Sequence, residues 1–127
     1  MIHHVSLGTN DVKRARAFYD LVLGVLGLRL LQEDDRSLDY GVATIMFSLE
    51  TPVDGKAASA GNGIHVAFVA QGPDMVDEFY RMAVANGGSD DGTPGLRPEY
   101  NRNYYGAFVR DPDGNKIEAV THSARRT

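Results

Sequence analysis

Three residues far apart along the chain carry the most promising chemistry: His4, His65 and Glu118. Two neutral imidazoles and a carboxylate suit a divalent first-row ion, with Zn, Mn, Ni and Fe all compatible. Three protein ligands leave positions open for water or substrate, the arrangement of catalytic rather than structural sites. An ion held this way acts as a Lewis acid or lowers the pKa of bound water. The competing reading makes each histidine a hydrogen-bonded core residue with no ligand role. His3 reads as a residue of the helix side or the surface. His122 lies four residues beyond Glu118 on one strand face, roughly 13 Å at about 3.3 Å per residue, too far to share an ion.

An internal repeat favours the metal reading. Shifting the chain by 61 positions lays His4-Val5 on His65-Val66, Phe18-Tyr19 on Phe79-Tyr80 and Gly27 on Gly88. The 127 residues then divide into module one (about 1–50), a linker (about 51–62) and module two (about 63–122), within a single domain. Each module reads as βαβββ. In the first, a strand over 2–8 precedes an N-cap at Asn10 or Asp11. Val12, Ala15, Phe18, Tyr19, Val22 and Leu23 recur at helical spacing until Gly24 and Gly27. Strands follow near 28–33, 38–42 and 43–49. In the second, a strand over 63–70 leads to Pro73 at a first helical position and an apolar stripe of Val76, Phe79, Tyr80 and Ala83. Strands near 89–91, 104–110 and 115–121 complete it, the last two joined by the turn Asp111-Pro112-Asp113-Gly114.

Strand alternation assigns the faces. Val5, Leu7, Val66, Phe68, Ile117 and Ala119 belong under the helices. His4, His65 and Glu118 belong on the opposite, polar face. The segment Gly92–Tyr105 reads as a loop with three tyrosines, two arginines and two asparagines. There Arg97 or Arg102 would neutralise an anionic substrate, and Tyr100, Tyr104 and Tyr105 would donate hydrogen bonds or stack. The same composition also suits a dimer interface. The acidic run Glu33-Asp34-Asp35 reads as a solvated turn.

Composition narrows the classes. Net charge is −4 with interspersed signs and no basic stripe, which speaks against nucleic acid as a partner. The absence of cysteine removes disulfides, thiolate metal sites and a Cys nucleophile. No run is apolar enough for a signal peptide or a membrane span, so the expected location is the cytosol. Ser123–Thr127 reads as a frayed tail.

The opening HHVSLGTNDVKRARAFYDLVLGVLGL and the closing YYGAFVRDPDGNKIEAV resemble the vicinal oxygen chelate superfamily. That group includes glyoxalase I, extradiol dioxygenases and the bleomycin and fosfomycin resistance proteins. The resemblance implies an α+β fold of tandem βαβββ modules, curled into a mixed sheet around a cleft, and a homodimer. It places metal ligands at His4, His65 and Glu118, with Glu118 also the catalytic carboxylate. Aligning Ile45 with Ile117 puts Met46 where the fourth ligand belongs, and a thioether is a poor ligand for a hard ion. This departure counts against glyoxalase I and leaves Met46 as a cleft residue. The resemblance implies a metal-dependent lyase, isomerase or dioxygenase acting on a small oxygenated substrate. The alternative is a metal-free, drug-sequestering binding protein.

Overall fold

The computed structural model describes residues 1–124, so part of the expected tail, 125–127, lies outside the described residues. Module one contains β1 (Val5–Gly8), α1 (Val12–Val25), β2 (Arg29–Glu33), β3 (Ser37–Gly41) and β4 (Ile45–Glu50). Module two contains β5 (His65–Val69), α2 (Pro73–Ala85), β6 (Ser89–Leu96), β7 (Tyr105–Arg110) and β8 (Lys116–Thr121). Each module builds its own four-stranded mixed sheet, in the orders β1-β4-β3-β2 and β5-β8-β7-β6. In each sheet the first and last strands of the module pair in parallel and the remaining pairs are antiparallel.

Local chemistry accounts for the elements. The Asp11 carboxylate accepts the Arg14 N–H at 3.0 Å, satisfying one of the free donors at the start of α1. Ala15, Phe18, Tyr19, Val22 and Leu23 form its buried stripe. Pro73 opens α2, where its missing N–H costs nothing, and Val76, Phe79 and Ala83 face the core. Gly27 and Gly87, at φ of +88° and +104°, take the left-handed turn that follows each helix.

Two boundaries depart most from expectation. β1 begins at Val5 rather than at residue 2, which leaves His4 outside it. β6 runs to Leu96 rather than stopping near residue 91, and the anticipated long loop shrinks to 97–104. Pro94 and the glycines at 92 and 95 disguise a strand in sequence. β6 is an edge strand with two register shifts, where such residues are tolerated.

The modules meet through apolar contact and a polar clasp. α1 packs on α2, and the Phe47 and Phe68 rings lie edge to face with centroids 5.1 Å apart. The turn between β7 and β8 reaches across to module one. Asp111 accepts the Tyr19 hydroxyl at 2.5 Å and the Asn115 side-chain amide at 3.0 Å. Asp113 takes the Thr9 hydroxyl at 2.6 Å and Arg14 at 2.7 Å. Asn115 also donates to the Gly8 carbonyl at 2.9 Å. The Asp-Pro-Asp-Gly-Asn motif therefore locks the halves together. Both helices cover one side of the sheets, and among the described residues no helix packs on the other face of either sheet.

Candidate functional site

β5 and β8 are parallel neighbours in which His65 stands opposite Lys116 and Ala67 opposite Glu118. His65 and Glu118 are therefore diagonal neighbours on one face. The His65 Nε2 lies 3.2 Å from Glu118 Oε1. Glu118 is 1% exposed, whereas the His65 side chain is 46% exposed. The other carboxylate oxygen, Oε2, accepts the Tyr104 hydroxyl. Both oxygens of a buried carboxylate are thus satisfied, as desolvation requires.

Tyr104 reaches Glu118 because Gly106 leaves room for it. A Cβ on Gly106 would stand 3.0 Å from Glu118 Oε2 and 3.2 Å from the Tyr104 ring. Burial, and then the bond to Glu118, raises the Tyr104 hydroxyl well above its ordinary pKa. Tyr104 is consequently a permanent donor at physiological pH. Tyr100 packs on its ring at 5.1 Å and His122 at 5.3 Å.

The expected three-donor centre does not assemble within the chain. His4 lies just before β1, at the edge of the other sheet, exposed and with its Nδ1 2.8 Å from that of His3. Among the described residues no three metal-type donors converge. The reason is the repeat itself: matched positions belong to two separate sheets. The donor types suit a first-row ion, but one chain brings together only His65 and Glu118.

The remaining expected residues fall in different places. Tyr105 is turned under α2, where its hydroxyl donates to Asp77 Oδ1 at 2.7 Å, so it leaves the substrate-binding set. Its parity with Ala107 and Val109 along β7 dictates this. Arg102 lines a cavity of about 410 Å³ with Asn103, His122 and Ser123, beyond the far end of β8. Arg97 lies at the foot of the loop, over the Phe108 ring at 5.6 Å. Met46 is 51% exposed and lines an apolar cavity of about 320 Å³ at the seam of the two sheets. Phe108, 6.0 Å from the His65 ring, was not singled out in sequence. Its place opposite Glu118 in the β7–β8 register would have revealed it.

Comparison with known proteins fits this architecture. The family model described as Glyoxalase/Bleomycin resistance protein/Dioxygenase superfamily matches residues 1–119. A glyoxalase/bleomycin resistance protein from Albidiferax ferrireducens T118 is 38% identical, with a TM-score of 0.88 over 94% of this chain and 98% of that one. Lactoylglutathione lyase from Agrobacterium tumefaciens is 25% identical, with a TM-score of 0.66 over 94% of this chain and 92% of that one. A glyoxalase-related enzyme from Fulvimarina pelagi, 18% identical, shares the fold with a TM-score of 0.75 over 94% of this chain and 86% of that one. No curated protein matches. With its duplicated βαβββ modules and a family match spanning nearly its whole length, the chain belongs to the glyoxalase/bleomycin resistance protein/dioxygenase superfamily.

Proposed function

We propose that the chain is an enzyme acting on a small oxygenated molecule, with His65 and Glu118 as its reactive pair on the open face of the second sheet. The carrying observation is the buried Glu118 carboxylate, which meets Tyr104 on one oxygen and the half-exposed His65 ring on the other. In this reading His65 Nε2 donates to Glu118 Oε1 and the lone pair rests on Nδ1. A ring so oriented takes a proton from a bound molecule and returns it. Glu118 stabilises the charged imidazole, and Tyr104 keeps the carboxylate in place.

In a metal-bound form His65 and Glu118 would instead serve as ligands, giving up the hydrogen bond between them, with His4 of a second copy as the third ligand. Such an ion supplies Lewis acidity to a substrate oxygen. A homodimer is consistent with the open sheet faces and with exposed Val42, Ile64 and Val69, apolar residues of the kind that a partner covers. Lyase, isomerase and dioxygenase activities share this centre, and the lactoylglutathione lyase relative makes lyase chemistry the first to assay.

Metal analysis of untagged protein tests the proposal. About one equivalent of a first-row ion per chain is expected, with loss in His65→Ala and in Glu118→Gln. No ion at any loading, together with unchanged small-molecule binding in both variants, contradicts it. A second reading, sequestration of an apolar molecule, is favoured by the seam cavity that Val5, Leu28, Met46, Phe47, Phe68 and Val69 help to line. Apolar ligand binding that survives His65→Ala supports that reading instead.

A further inference from the structure

We propose that Arg97 is a preformed receptor for a carboxylate on the molecule taken at the His65–Glu118 pair, so that the substrate is a small carboxylic acid anion. The proposal rests on the reactive role given above to His65 and Glu118.

Most arginines with described contacts have acidic partners. Arg14 meets Asp113, Arg16 meets Glu33, Arg81 meets Glu78 and Arg110 meets Asp91. The Arg97 guanidinium is held differently. Its Nη2 donates to the Thr93 carbonyl at 2.7 Å and its Nη1 to the Leu96 carbonyl at 3.3 Å. Those neutral acceptors fix the group without cancelling its charge. A guanidinium carries five N–H donors, so donors remain for a ligand.

Bare backbone makes the placement possible. A Cβ on Gly95 would stand 3.2 Å from Arg97 Nη1. One on Gly92 would stand 3.4 Å from Nη2 and 2.9 Å from the Phe108 ring. The Arg97 backbone is itself tied by its N–H to the Tyr104 carbonyl at 2.8 Å. The residue that steadies Glu118 and the guanidinium therefore stand on one short loop closure.

Phe108 stands between this cation and the reactive pair. Arg97 lies 5.6 Å from the ring centroid, the Lys116 ammonium 4.9 Å, and the His65 ring 6.0 Å from that of Phe108. Lys116 has only a share of Asp91, at 3.5 Å, because Arg110 holds the same oxygen at 3.0 Å. Lys116 therefore adds a partly paired positive charge on the same face as the His65–Glu118 pair. Beyond Lys116, a cavity of about 260 Å³ opens against His65, Arg110 and Asn62. A planar fork beside an aromatic ring matches a planar carboxylate, which it grips through two parallel hydrogen bonds.

An NMR titration of the full chain with glycolate, glycolamide and inorganic phosphate tests the proposal. Glycolate is expected to shift the Arg97 Nε–H, the Phe108 ring and the His65 ring, binding about ten-fold more tightly than glycolamide. Arg97→Gln, which can still donate to the backbone carbonyls, should erase that preference. Gly95→Ala should weaken glycolate while keeping the arginine, a check independent of how Arg97→Gln folds. Shifts at Arg97 and Phe108 without His65 would support the receptor while removing the reactive pair. Equal binding of glycolate and glycolamide, or glycolate binding indifferent to Arg97→Gln, overturns the proposal. Tighter binding of phosphate at the same residues overturns the choice of a carboxylate.

Discussion

Glu118 is the residue on which the site turns, because its burial forces every neighbour to answer it. Removing the Tyr104 hydroxyl leaves one carboxylate oxygen short of a donor. Tyr104→Phe is expected to cost about 1–3 kcal/mol, read by denaturant unfolding, and to loosen the His65 ring. The hydroxyl also links stability to pH. The folded chain keeps its proton above the ordinary tyrosine pKa of about 10, where the unfolded chain loses it. This stabilisation is therefore complete below pH of about 10 and is lost as the pH rises towards the folded value. In a phenolate absorbance titration, Tyr104→Phe should leave the curve below pH of about 10 unchanged; a lost ionisation there would contradict the assignment.

At this scale the sequence was informative where the two-residue period decides. Alternation placed His65 and Glu118 on one face, and the structure brings them to 3.2 Å. The same rule, extended into β7, separates Tyr104 from Tyr105 and identifies Phe108 as a neighbour of Glu118. Which carbonyls would hold Arg97 depends on a folded loop, and no spacing encodes that.

Among the elements, the turn between β7 and β8 has most to do. Its motif looked like a family mark with a metal ligand attached, and Glu118 does follow it. The turn residues themselves serve a structural end, since Asp111 gathers Tyr19, Asn115 and two backbone N–H groups. Tyr19 is fully buried, and burial, with Asp111 next, holds its hydroxyl protonated far above the usual range. Asp111→Ala should destabilise by about 2–4 kcal/mol, because it orphans several buried donors at once, whereas Tyr19→Phe should cost about 1–2 kcal/mol. Near-equal losses from thermal or chemical unfolding would mean that the clasp does not depend on the carboxylate.

β6 and β7 show how glycine serves the open face. Gly106→Ala would push a methyl group against Glu118 and Tyr104. It should separate the two and cost about 1–3 kcal/mol. Its Tyr104 should then ionise nearer the ordinary tyrosine value, visible in the same absorbance titration. The edge character of β6 was hidden in sequence, since Gly-Thr-Pro-Gly reads locally as a loop and only its pairing with β7 makes it a strand.

For the whole molecule, the repeat predicted two βαβββ modules, and the structure has them; the parallel pairing of each module's first and last strands was not legible in the sequence. The repeat also explains why the three donors do not meet in one chain. Two positions related by the repeat occupy like places in different sheets, and duplication alone does not fold one sheet onto the other. Exposed apolar side chains on the open and seam surfaces, Val69 at 81% and Met46 at 51%, give a second copy or an apolar ligand something to cover. Among the described residues no helix is long and apolar enough to cross a membrane.

Mixing two variants that each lack one donor tests the proposed shared centre most directly. His4→Ala and His65→Ala each remove one donor from every site. Refolded together, they are expected to form mixed dimers in which one centre regains His4 from one chain and His65 with Glu118 from the other. Bound first-row metal, near zero in either variant alone, should then return to a sizeable fraction of the wild-type content. Metal that never returns on mixing, or that His4→Ala never loses, would contradict a centre built from two chains.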